Sequence, residues 1–191
     1  MGSTYVSEPV IFLIDTLCSL YILAIILRFL LQWSGADSYN PIAQLLIKIT
    51  HPPLKFLRRY IPSLRKIDTS ALVLALGLQM LADFAILFLK GVTVGIAALC
   101  VISFTQLLSL VINIFIFSIF VSALLSWFNP GAFHAAAGLL QRLSEPLLGI
   151  CRQMLPEVGG VDFSSLLALI LLQLAKMLLL PPLHELASLI G

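Results

Sequence analysis

Charge is what this chain has least of. Asp, Glu, Lys and Arg make up 10% of its 191 residues, against 60% hydrophobic residues and a mean hydropathy of +1.09. Soluble globular proteins carry about 25% charged residues, so a water-facing surface cannot be covered here and a soluble domain is excluded. Disorder, which needs low hydrophobicity and high charge, is excluded as well. The net charge is only +2, with no basic tract, and nucleic-acid binding finds no support. Cysteine is scarce and scattered: Cys18, Cys100 and Cys151 form no CxxC pair and no disulfide or zinc framework. The first nine residues lack Lys and Arg, the positive region of a cleavable signal, so the first hydrophobic run is expected to stay as a membrane span. GxxxxGKS/T, GxGxxG, HExxH and GxSxG are all missing. No catalytic residue, metal site or cofactor is expected.

What is present is long apolar runs. A spanning helix needs about 20 mostly apolar residues, and four such spans are expected, at about 9–33, 70–89, 104–128 and 163–183. Asp15 and Arg28 lie near opposite ends of the first, within reach of an interface. Between Gly91 and Gln141 there is no charged residue at all. Its apolar part is too long for one span and too short for two, so 91–103 is expected to be an apolar connection near the interface.

The polar loops are unequal. Ser34 to Thr69 carries Lys48, Lys55, Arg58, Arg59, Arg65 and Lys66, and Asn129 to Asp162 carries Arg142 and Arg152. The opposite side offers Lys90 alone. This bias puts both long loops in the cytoplasm and both termini outside, in a bacterial inner membrane. Within the first loop, Ile42, Leu45, Leu46 and Ile49 recur at helical spacing between Pro41, suited to a helix start, and Pro52–Pro53, expected to stop the helix. A short amphipathic helix on the membrane surface is one reading, and a helix packed wholly against the spans is the other.

The chain repeats itself. An offset of 94 residues lays Trp33 on Trp127, Lys48 on Arg142, Pro52 on Pro146, Arg58 on Arg152, Asp68 on Asp162 and Gln79 on Gln173 without a gap. The expected fold is therefore all-α: two parallel tandem repeats, 1–94 and 95–191, each with two spans and an amphipathic interfacial helix between them. Copies with an even number of spans share one orientation and are related by an axis along the membrane normal.

The repeated residues also resemble a known family. Arg28–Phe–Leu–Leu–Gln–Trp33, Tyr39–Asn–Pro41, the run from His51 to Pro62 and Ile67–Asp68–Thr–Ser70 look like the signature of the YggT family. The second copy supplies Leu125–Ser–Trp–Phe–Asn–Pro130, Glu145–Pro–Leu–Leu148, Arg152, Pro156 and Gly159–Gly–Val–Asp–Phe–Ser164. It departs at Gln153, where the first has Arg59 and many members have a second arginine. The resemblance implies a bacterial inner-membrane or plastid membrane protein without an established reaction. It links bacterial members to osmotic tolerance, envelope organisation and cell division, and plastid members to cytochrome b6 haem attachment and nucleoid distribution.

Few residues invite chemistry. His51, His134 and His184 are isolated in sequence, and His51 before Pro52 reads as a loop-end residue rather than a haem ligand. Asp68 and Asp162 each precede a span by a residue or two, where a carboxylate can cap free N–H groups; acid–base work is the less economical reading. Lys55, Arg58, Arg59 and Arg152 can grip lipid phosphate or simply fix topology. Asp83 and Lys176 fall within one residue of the same depth by the repeat offset. Charges inside a span tend to pair or to line a polar path, so pairing, outward snorkelling of Lys176 and a transport role all stand open.

The leading expectation is a non-enzymatic scaffold that binds membrane lipids, anionic ones above all, and unidentified envelope proteins, with a homo-oligomer as a further option. The alternatives are an assembly factor for a membrane cytochrome and a small ion-channel accessory.

Overall fold

In lipid, every backbone polar group has to be satisfied within its own segment, which leaves helices as the form for the long apolar runs. The computed structural model describes residues 4–37, 39–61, 68–128, 134–154 and 163–190, and all regular structure among them is helical. Six helices follow one another: α1 (Thr4–Trp33), α2 (Pro41–Leu57), α3 (Thr69–Leu89), α4 (Ile96–Phe128), α5 (His134–Met154) and α6 (Phe163–Ile190). Four of them, α1, α3, α4 and α6, are long and apolar enough to cross a membrane. α1 and α3 both end in Schellman turns, with Gly35 and Gly91 at φ +68° and +71° supplying the left-handed residue.

The third span starts earlier than its sequence suggested. α4 begins at Ile96, so most of the presumed connection is helix and only a short turn separates α3 from α4. Ala98, Leu99 and Ser103 are buried, and packing holds this charge-free stretch in the bundle. The fourth span likewise runs on past 183 to Ile190, through Pro181 and Pro182.

Nor do Pro52 and Pro53 stop α2, which continues to Leu57. A proline inside a helix frees the carbonyl four residues before it. For Pro53 that carbonyl is Ile49, and the Tyr21 hydroxyl of α1 donates to it at 3.4 Å. Tertiary contact thus replaces the lost helical bond. Tyr21→Phe should loosen this joint by about 0.5 kcal/mol, seen as a small drop in melting temperature in detergent and faster amide exchange after Pro53.

α2 has three sides rather than two. Ala43, Thr50 and Leu54 are buried against the protein, while Ile42, Leu45, Ile49 and Phe56 are exposed. Gln44, Lys48 and Lys55 are exposed on the remaining side. The apolar spacing in the sequence marked the face left open, and the small residues Ala43 and Thr50 mark the face that packs.

Each repeat folds in the same way. α1 packs on α2 and α3, as α4 packs on α5 and α6, and α3 packs on α4 across the repeats. Ile25 and Ile119 are matched by the offset and are both fully buried, as are Thr50 and Ser144. Leu54 and Leu148 also correspond, and so do Ser70 and Ser164. Without a hydrophobic drive between helices in lipid, close packing through small residues and interhelical hydrogen bonds holds such pairs together. Ala71, Ala75 and Ala82 give α3 its buried face.

Candidate functional site

The densest polar cluster forms where the loop end of α1 meets α2 and α3. Arg28, placed near the end of its span, does not turn outward to an interface. It is 9% exposed, and its Nη1 donates to Thr50 Oγ1 at 2.8 Å, while the Thr50 hydroxyl donates to Leu46 O at 2.6 Å. Arg58 donates through Nη2 to Asp68 Oδ2 in an ion pair. Asp68 is 2% exposed, and its second oxygen has no hydrogen-bond partner. Arg28 lies within electrostatic reach of both Arg58 and Asp68. Ser70 Oγ closes the cluster by donating to Ile61 O at 2.8 Å.

This geometry corrects the capping expectation for Asp68. It occupies the N-cap position of α3, yet its side chain makes no bond to the first turn. A buried carboxylate is stabilised more by a guanidinium than by neutral N–H groups, because the ion-pair hydrogen bond is charge-assisted. Arg58, considered above for lipid contact, is the arginine that Asp68 engages; it is exposed along its outer side, as Lys55 and Arg59 are. Asp162 lies outside the described residues, so the second cluster is seen only in part. Arg152 Nη1 donates to Glu145 Oε1 at 3.3 Å with both side chains well exposed.

The second repeat fills the Arg28 position differently. The offset places Ser122 there, and its buried Oγ has no partner. Its neighbour one turn away, Ser118, takes over: it lies 2.9 Å from Ser144, the counterpart of Thr50, and donates to Leu140 O at 3.0 Å. The charged joint of the first repeat is thus a hydroxyl joint in the second.

Within the spans, Asp83 and Lys176 do not meet. Asp83 Oδ2 accepts from Ser103 Oγ at 2.7 Å and Oδ1 from Gln79 Nε2 at 3.3 Å, and Gln79 also donates to Gln106. Lys176 Nζ donates to Asn113 Oδ1 at 2.7 Å. Both charges have found partners on α4, the helix that touches α3 as well as α6. Sequence reasoning missed Ser103, Gln106 and Asn113, although their spacing of three and seven places them on one side of a helix without a charged residue.

A cavity of about 420 Å³ opens between α1, α2, α4 and α5. Its lining includes Leu23 and Phe117, Ile42 and Ala136, and Leu46 and Leu140, three pairs related by the repeat offset. It therefore straddles the junction of the two copies. Asn113 and Ser118 are its polar residues. Among the described residues, no group of three or more His, Cys, Asp or Glu could hold a metal ion. His51 and His184 are exposed rather than turned into a pocket.

Comparison with known proteins agrees with this layout. The CCB3/YggT family matches the chain twice, over residues 7–89 and 101–183, segments offset by the same 94 residues. An uncharacterized protein of Pseudomonas aeruginosa is 40% identical over 183 residues, covering 95% of this chain and 91% of that protein. The uncharacterized protein YggT of Escherichia coli is 36% identical over 171 residues, covering 87% and 86%. An uncharacterized protein of Haemophilus influenzae is 36% identical over 159 residues. No solved structure matches. With two tandem matches spanning most of its length, the chain belongs to the CCB3/YggT family.

Proposed function

We propose that this protein is a non-enzymatic scaffold of the bacterial inner membrane that organises anionic lipid, and through it envelope proteins, at its loop face. The observation that carries this reading is the three-sided form of α2. One side is bonded to the spans, one is apolar and open to lipid, and one carries Lys48 and Lys55, with Arg59 just beyond. A helix so built lies in the headgroup layer, where basic residues are drawn to an anionic surface. α5 repeats the arrangement more weakly, with Arg142 and Arg152 exposed. The positive loops are cytoplasmic and the termini external. Osmotic tolerance and cell division are the processes such a scaffold would serve.

Replacing Lys48, Lys55 and Arg59 together by Gln should lower the anionic phospholipid retained by the detergent-purified protein roughly tenfold or more, with retained zwitterionic phospholipid unchanged. Equal retention of mutant and parent would reduce these charges to topology signals. Arg58 is left intact because Asp68 depends on it. Orientation is read separately: a cysteine at Ser3 should react with an impermeant thiol reagent from outside, and one at Ser63 should not.

A further inference from the structure

The two repeats are not equally covered. α3 packs on α4, using Gln79 and Asp83 against Ser103 and Gln106, with Met80 beside Cys100. Applied once more, the repeat offset turns this pair into α6 against α1. Within the chain α6 and α1 share no contact among the described residues. The counterparts of Gln79, Met80 and Asp83 are Gln173, Leu174 and Met177, and all three are exposed. On α1, the counterparts of Ser103 and Gln106 are Pro9 and Phe12, exposed as well.

Apolar exposure alone would mean only lipid contact. Polar side chains add a second observation. Gln173 lies ten residues into α6, roughly 15 Å by helical rise, and among the described residues no hydrogen bond engages it. Along α1, Glu8, Phe12, Asp15 and Ser19 follow i, i+4, i+7, i+11 and are all exposed, so one stripe of the helix carries two acids and a hydroxyl. Among the described residues Asp15 has no hydrogen-bond or ion-pair partner, although an unpaired charge within a span is expensive. The register of α3 on α4, transferred by the offset, sets Gln173 opposite Phe12, with Asp15 one turn along.

We propose that α6 of one chain docks on α1 of a second copy in the manner of α3 on α4, the Gln173 amide donating to the Asp15 carboxylate. The two surfaces are different, so the contact is heterologous and builds a closed ring or an open row rather than a two-fold dimer. It stands on the repeat and on the unpartnered polar groups, independently of the lipid reading.

The test co-expresses two differently tagged chains, one with Phe12→Cys and the other with Gln173→Cys, and oxidises native membranes with copper phenanthroline. The expected result is a mixed-tag disulfide dimer, several-fold above the background of parent chains. Stronger linking of Phe12→Cys to itself, or of Gln173→Cys to itself, would overturn the heterologous geometry. Absence of the mixed dimer, or an unshifted internal disulfide in a chain carrying both changes, would overturn the proposal outright. Gln173→Leu removes an exposed amide with no hydrogen bond among the described residues, so the chain is expected to fold as before. Self-association measured by energy transfer in bilayers should then weaken roughly threefold; unchanged association would count against the Gln173–Asp15 bond.

Discussion

Replacing Asp68 by Asn should cost this protein about 3 kcal/mol of stability in mild detergent, the largest single loss expected outside the apolar core. The substitution keeps the volume and removes the charge. Arg58 and the nearby buried Arg28 would then repel each other with no carboxylate to offset it. Removing one partner of a buried pair leaves an uncompensated charge, which is why the loss exceeds what the pair contributes over an apolar replacement. Arg58→Gln should cost about as much, because it leaves the Asp68 carboxylate, 2% exposed, as the charge without a partner. Arg152→Gln provides the contrast, since Glu145, which Arg152 engages, lies on the open surface; its change should stay within about 0.5 kcal/mol. Thermal unfolding of the three variants checks the order, and equal losses for Asp68→Asn and Arg152→Gln would show that burial does not set it.

The second large effect concerns the charges inside the spans. Asp83→Leu strands Ser103 and Gln79 together, and a loss of about 2 kcal/mol is expected. Asp83→Asn keeps acceptor capacity and should lose less than half as much. In double-mutant cycles, Asp83 and Ser103 should couple by about 1 kcal/mol, as bonded side chains in membrane bundles do. Asp83 and Lys176 should instead be additive within about 0.5 kcal/mol, since each has its own partner on α4. Coupling between Asp83 and Lys176 would mean that the two helices shift to bring them together.

The repeat was legible because Pro, Arg, Asp and Gln at a fixed offset leave a pattern that no other arrangement produces. The spans were legible because length and hydropathy suffice for them. Partners were not. Asp68 reads equally well as a cap or as one half of an ion pair, and only the fold of the loop brings Arg58 to it. Asp83 and Lys176 matched in depth, but depth carries no information about which neighbour sits between two helices. Pro52–Pro53 misled for a similar reason: the hydroxyl that compensates Ile49 comes from Tyr21, 28 residues away. Local rules cannot include a donor from another helix.

The bond between Asp83 and Ser103 also imposes an order on synthesis. As α3 enters the bilayer, its carboxylate has only Gln79, one turn back, for company. An Asp at mid-span raises the cost of insertion by about 2.5–3.5 kcal/mol. Its better partner is still twenty residues from being delivered. The turn between Leu89 and Ile96 is short, so α4 follows at once and brings Ser103 to the same depth. α3 and α4 should therefore leave the translocation channel as a hairpin, although they belong to different repeats. The boundary between the ancestral copies is then a junction that the membrane-insertion machinery must treat as one unit.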